Sequence, residues 1–247
     1  MARQQLKVEL LRHTFNPEEV VAMGAKLCYS GADIDELIKG IESADQSKFI
    51  EKLIDIGHLS PVEHASFTFG IEGVSRALLA QITRHRIASF SVKSQRYVGE
   101  SSSGSQGRVF AYIIPPRIEA LGPEYVAEFE KQMGQIQAWY DFWNEQLGNL
   151  GEASHEDARF VLPNAAETKM LVTMNARELY HFFELRCCNR AQWEIRALAQ
   201  EMLRLVKRVA PVLFKHAGPG CVSGACPEGK LTCGQAKEMR EKYRYLN

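Results

Sequence analysis

No stretch of this sequence approaches the roughly 20 consecutive apolar residues of a membrane-spanning helix, so a membrane partner is not expected. Met1 to His13 interleaves Arg3, Lys7, Glu9 and Arg12 with apolar residues. It lacks the uninterrupted apolar centre of a signal peptide, which points to a cytoplasmic protein. Excess charge of either sign is missing too, because 30 basic residues face 30 acidic ones. With no bulk field to draw in nucleic acid or a lipid surface, a local crowd of arginines has to be read as a site. The six cysteines include no Cys-x-x-Cys pair and no compact secreted framework, so reduced thiols are expected. There is no internal repeat, no convincing linker and no Gly-rich dinucleotide fingerprint.

What remains is ordinary globular material. Hydrophobic residues make up 45% and charged residues 24% of 247 positions, enough for one large domain or two small ones. Segments at Leu6 to Leu11, Ser66 to Ile71, Val109 to Ile114 and Lys169 to Met174 predict strands. Helices are expected from Pro17 to Cys28, Ile34 to Ile41, Asp45 to Ile56, Ser75 to Thr83, Pro123 to Leu147, Ala176 to Leu185 and Ala191 to Val209. Asn16 and Asn175 read as N-caps, Gly57 as a C-terminal stop, and Pro211 as the end of the last helix. Ser154 with Asp157 resembles a capping arrangement for a short turn ending near Arg159. Glu100 to Gly107, rich in Ser and Gly, reads as a surface loop, either a plain connection or a lid. The expected fold class is α+β: a single domain over 1–247 with a small mixed, mostly antiparallel sheet surrounded by helices, and a cysteine-containing tail from about 216.

Chemistry concentrates between Gln81 and Tyr97. Val74, Ala77, Leu78 and Ile82 have helical spacing, so Arg84-His85-Arg86 falls near the negative end of a helix. After Arg86 come seven residues, then Ser94, and then Arg96. Phe90, Val92, Ser94 and Arg96 alternate with Ser91, Lys93, Gln95 and Tyr97, which predicts an extended segment with Ser94 and Arg96 on one face. A hydroxyl, a guanidinium and a nearby cationic cluster make a site of phosphate size. A solvated basic helix end is the plainer reading of the same charges. The function that goes with it is a non-catalytic nucleic-acid-binding protein.

Other candidates lie outside this stretch. His58 and His64 flank Pro61 without further ligands beside them, so no metal is expected there. Arg177 and His181 share a face of a predicted helix, and Arg186 and Arg190 sit at the same four-residue spacing, where Glu194 can offset their repulsion. Cys187-Cys188 beside Arg186 are the tempting nucleophiles. Cys221, Cys226 and Cys233 with His216 leave a metal, a disulfide or free thiols open.

Several of these motifs occur together in one order: Gly57-His58-Leu59-Ser60-Pro61-Val62-Glu63-His64, then Arg84-His85-Arg86 with Ser94-Gln95-Arg96-Tyr97, then Asn175-Ala176-Arg177, then Gln192-Trp193-Glu194-Ile195. In that order they resemble the flavin-dependent thymidylate synthases over about two thirds of the chain. The resemblance implies methylation of dUMP to dTMP, with FAD as hydride carrier, methylenetetrahydrofolate as carbon donor and NADPH as reductant. It implies a homotetramer whose active sites are shared between subunits. By resemblance the nucleotide rests on Gln81, Arg84, Val92, Lys93, Ser94, Gln95 and Arg96, with Arg159 and Arg186 as further substrate ligands. Arg186 is expected on the uracil ring as the catalytic group. Flavin is expected on His58, Ser60, Arg84, His85, Arg86, Asn175, Arg177 and His181. No cysteine nucleophile is implied. Val92 stands where some members carry an acid or amide, so a contact there comes from backbone. His181 stands where some carry Asn, and can still hydrogen-bond flavin.

Overall fold

The computed structural model describes residues 2–103 and 107–246. Along the chain run β1 (Lys7–His13), α1 (Pro17–Leu27), α2 (Ile34–Glu42), α3 (Ser47–Asp55), a 3-10 turn (Pro61–His64), β2 (Ser66–Ser75), α4 (Arg76–Ile82), β3 (Ala88–Val92), α5 (Pro116–Glu119), α6 (Pro123–Gln146), α7 (Glu152–Ala158), β4 (Glu167–Asn175), α8 (Ala176–Arg186), α9 (Trp193–Val209) and α10 (Ala236–Arg244). The four strands form one antiparallel sheet in the order β1-β2-β4-β3, and the fold is α+β as expected. Phe67, Phe69 and Ile71 of β2 and Thr168, Met170, Val172 and Met174 of β4 are buried, alternating with more exposed neighbours, because successive side chains point to opposite faces.

The chain divides into two compact units. One comprises Met1–Lys7, Ile71–Arg84 and Ser91–Leu171; the other comprises Val8–Gly70, His85–Phe90 and Val172–Asn247. In the first, Phe110, Tyr112, Ile114, Met133 and Ala166 form a buried cluster against α6. The strand expected over Val109 to Ile114 does not form. Tyr112 alone pairs there, bridging Arg3 on one side and Ala166 on the other. Pro115 and Pro116 follow without an N–H to extend the ladder. The α6 face also fixes the loop before this segment. Gln137 accepts from Phe110 N at 2.7 Å and donates to Glu100 O at 2.8 Å, and Tyr140 Oη accepts from Glu100 N at 3.1 Å. Of the Glu100–Gly107 loop, residues 104–106 lie outside the described residues.

In the second unit the core is aromatic. Phe214 meets Phe67 edge-on at 5.4 Å and Phe183 at 6.1 Å between ring centroids. Glu18 on α1 accepts the backbone N–H groups of Val212 and Leu213 at 2.7 and 3.0 Å, closing the chain that leaves α9. The cysteine tail carries an unforeseen helix, α10, which buries Met239 and Tyr243. Tyr243 donates its hydroxyl to Cys187 O at 3.0 Å.

Two capping expectations fail. Asn16 adopts a left-handed backbone (φ 43°) and makes no side-chain cap; its amide donates to Glu19 at 2.8 Å instead. Ser154 lies inside α7, donating to Leu147 O at 3.0 Å and accepting from Leu150 N at 2.8 Å. It clamps the turn from α6 rather than starting a helix.

Candidate active site

Ser75 caps α4, its hydroxyl accepting Leu78 N at 3.1 Å, and Leu78 and Ile82 are buried. Gln81 lies half-buried in the last turn of that helix, and Arg84 follows exposed in the turn. β3 then stops at Val92, earlier than its alternation implied. Ser94 Oγ accepts the backbone N–H of Arg96 at 3.2 Å and of Tyr97 at 3.4 Å, while Ser94 O accepts Val98 N at 3.0 Å. The hydroxyl thus satisfies locally the donors that a ladder would have used, and the chain turns. Ser94 and Arg96 therefore do not share a strand face.

The turn is held by charge on both sides. Arg96 bridges two α7 carboxylates, Glu152 at 2.6 Å and Glu156 at 2.9 Å. Lys93 pairs with Glu100 at 2.6 Å, the residue that α6 fixes through its backbone. Arg159 donates Nε to Glu156 O at 3.0 Å, so Arg96 and Arg159 both contact Glu156. Gln95 is buried, and its Nε2 has no hydrogen-bond partner among the described residues. A buried donor left unmade calls for an acceptor that the isolated chain does not supply.

Sequence reasoning overlooked Arg76. As the first residue of α4 it adds positive charge where the helix dipole is already positive, a signal the sequence carried. Its Nη1 lies 3.4 Å from Lys93 O. Burial and the neighbouring Arg159 guanidinium push its pKa down.

The second unit holds the other candidate residues. His85, in the middle of Arg84-His85-Arg86, is buried rather than solvated. Its Nδ1 lies 2.9 Å from Glu178 Oε1, and Arg186 Nε donates to its Nε2 at 3.1 Å. Arginine has no acceptor, so Nε2 must present a lone pair and Nδ1 must carry the proton. Burial, followed by the Arg186 charge, lowers the pKa of His85, against the pull of Glu178. Its ordinary value is 6.5. Below that value the unfolded chain takes up a proton that the folded site resists. Stability conferred by neutral His85 is therefore present above about pH 6.5 and lost as pH falls. Denaturation midpoints at about pH 7.5 and about pH 5.5 should fall with acid in the natural protein and fall less in His85→Gln. Equal losses would assign the sensitivity to other groups.

Glu178 was also overlooked. It stands three residues after Asn175, whose Oδ1 accepts Glu178 N at 2.9 Å and caps α8. Asn-x-x-Glu reads as an ordinary helix start. Only the fold brings the carboxylate to a histidine 93 positions away.

Arg177 on α8 forms an ion pair with Glu63 of the 3-10 turn, which joins α8 to the segment carrying His58 and Ser60. The His181 ring is exposed, 5.6 Å from that of His85. Arg86 is exposed beside the buried histidine. These cations, hydroxyl and amide groups match the anionic and polar parts of a dinucleotide such as FAD, so the donor set fits that group.

Arg190 is not on the helix with Arg186, because α8 ends at Arg186; it pairs with Glu228 at 3.7 Å. Burial raises the Cys187 thiol to about 12, which leaves it protonated and unfit as a nucleophile near neutral pH. All six cysteines are unbridged. No group of three or more His, Cys, Asp or Glu disposed to hold a metal occurs among the described residues, and none of their helices is long and apolar enough to cross a membrane.

Comparison with known proteins gives one answer. The family profile described as thymidylate synthase complementing protein matches residues 9–212. The chain is 52% identical over 242 residues to a flavin-dependent thymidylate synthase of Geobacter sulfurreducens, covering 98% of this chain and all of the relative. It is 48% identical over 249 residues to one from Clostridium tetani, covering 96% and 97%. Identity to one from Pyrococcus furiosus is 38% over 244 residues, covering 96% of each. Among solved structures, a UMP/dUMP methylase from Streptomyces cacaoi bound to 5-Br UMP shares the fold, with a TM-score of 0.65 at 23% identity over 86% of this chain and 93% of the other.

Proposed function

The chain belongs to the flavin-dependent thymidylate synthase family, and from that premise we propose that it methylates dUMP to dTMP. In this reading FAD is the cofactor, methylenetetrahydrofolate the carbon donor and NADPH the reductant. FAD supplies the hydride; the chain supplies binding, orientation and charge.

The observation that carries the reading is the turn at Lys93 to Arg96. Four residues there combine two cations, a hydroxyl and a buried amide donor without a partner. That set suits a nucleotide phosphate and sugar. We assign the nucleotide to Gln81, Arg84, the backbone of Val92, Lys93, Ser94, Gln95, Arg96 and Arg159, and add Arg76. Arg186 takes the uracil ring. Its guanidinium stays protonated at any working pH, so it stabilises negative charge developing on the uracil carbonyl and makes C5 nucleophilic. Flavin is assigned to His58, Ser60, Arg84, Arg86, Asn175, Arg177 and His181. His85 has both ring nitrogens engaged, so its contact with flavin runs through the ring edge or the backbone. The assigned residues come from both units. In a homotetramer with shared sites, they need not meet within one chain.

Arg96→Ala tests the nucleotide assignment. It removes a charge-assisted phosphate contact and leaves Glu152 and Glu156 unpaired, facing an incoming anion. Titration with dUMP, followed by flavin absorbance, should give a dissociation constant about 10- to 100-fold weaker. The flavin spectrum of the purified protein tests the cofactor in the same cuvette. An unchanged constant removes Arg96 from the site.

A further inference from the structure

We propose that Glu178 is a positioning residue: by accepting the His85 Nδ1 proton it keeps the His85 Nε2 lone pair aimed at Arg186 Nε–H, and so holds the guanidinium plane in one orientation. This rests on the assignment of Arg186 to the uracil ring.

Each link has one chemical role. Glu178 Oε1 and His85 Nδ1 are 2.9 Å apart, and both side chains are almost wholly buried. A carboxylate in such a place needs a donor, and the imidazole N–H is that donor. The remaining ring nitrogen is then an acceptor in the ring plane, 3.1 Å from Arg186 Nε. Nε–H is the one guanidinium donor set apart from the two terminal amino groups. An anchor there fixes the plane of the group while using neither terminal nitrogen.

The alternative tautomer breaks the chain. A proton on His85 Nε2 would point at Arg186 Nε–H, donor against donor, and Nδ1 would face the carboxylate with a lone pair. Protonation of both nitrogens meets the same conflict at Arg186. Packing helps to hold the ring: Phe182 abuts it edge-on at 4.9 Å between centroids. The imidazole cannot rotate to exchange its nitrogens without displacing that contact.

The position of Glu178 on α8 suits this task. It lies on the first turn, where Asn175 locks the backbone, two turns before Arg186 at the other end of the same helix. The helix therefore sets the distance between carboxylate and guanidinium, and His85 spans it from another part of the chain.

Three measurements on the intact, flavin-loaded protein test this. Ring-nitrogen NMR of isotope-labelled histidine, without substrate, should find His85 neutral with its proton on Nδ1. A proton on Nε2 overturns the proposal, and this result does not depend on what the enzyme methylates. Glu178→Ala should lower kcat for dTMP formation about 10- to 100-fold, the worth of one charge-assisted hydrogen bond in the transition state. KM for dUMP should move much less, because orientation is lost rather than charge. Glu178→Gln retains a carbonyl acceptor and should recover most of that loss. If Gln and Ala variants that both fold are equally impaired, the charge of Glu178 matters and the positioning role is wrong; an unchanged kcat in the Ala variant also overturns it. Should the natural protein turn over no dUMP at all, the functional reading fails while the tautomer still decides the geometry.

Discussion

Arg186→Lys will form dTMP on the order of 100-fold more slowly than the natural protein at saturating dUMP. Lysine keeps the positive charge but offers a point cation in place of a planar fork. It has no equivalent of the Nε–H that meets His85 Nε2 at 3.1 Å, so its one nitrogen would have to serve both His85 and the uracil. If Arg186 stabilises charge that develops during reaction, the loss falls on kcat; if it only holds dUMP, the loss falls on KM. Single-turnover dTMP formation with pre-reduced flavin and saturating dUMP separates the two. Flavin reduction by NADPH, the reductant proposed above, is a separate half-reaction and should survive better. A natural rate in the lysine variant leaves Arg186 as a binding residue.

Gly73→Ala will lower stability by roughly 3 kcal/mol, with a fall in melting temperature of roughly 5–12 °C. Gly73 sits in β2 with φ +70°, a conformation that L side chains rarely adopt. An added Cβ would stand 1.8 Å from Gln5 O and 2.4 Å from Gln5 C. Both are backbone atoms, so no rotamer change can relieve the clash. Gly70 on the same strand is the control. The three atoms nearest its added Cβ all belong to the Leu11 side chain, Cδ1 at 3.1 Å, and that side chain can shift. Thermal melts of the two variants should separate clearly; a Gly73→Ala protein that melts with the natural one rejects the account.

Most helices and three of the four strands were legible in the sequence, because burial on one face leaves a period in the residue pattern. Pro17, Pro123, Asn175 and Pro211 mark helix ends within a residue or two, since proline and the Asn cap act through their own backbone and side chain. The errors have a common cause. Ser94, Ser154 and Asn16 are short polar residues that can bond to several nearby backbone groups, and the pattern does not say which. Val109 to Ile114 alternates like a strand, but a strand needs neighbours along its length, and only Tyr112 finds them.

The sequence by itself determined the family, through ordered motifs at 57–64, 84–97 and 175–177. It also determined the α+β class, because helical and strand periods are local properties. Only the tertiary structure decided what the charged residues touch. Arg84-His85-Arg86 reads as a solvated basic cluster, yet its histidine is buried between Glu178 and Arg186. Glu178 looks like half of a helix start, and Arg96 like a free cation, until α8 and α7 deliver a histidine and two carboxylates to them. Cys187 beside an arginine looks reactive until burial raises its pKa to about 12. Hydrogen-bond partners and desolvation depend on groups tens of residues away along the chain, and no local period encodes them.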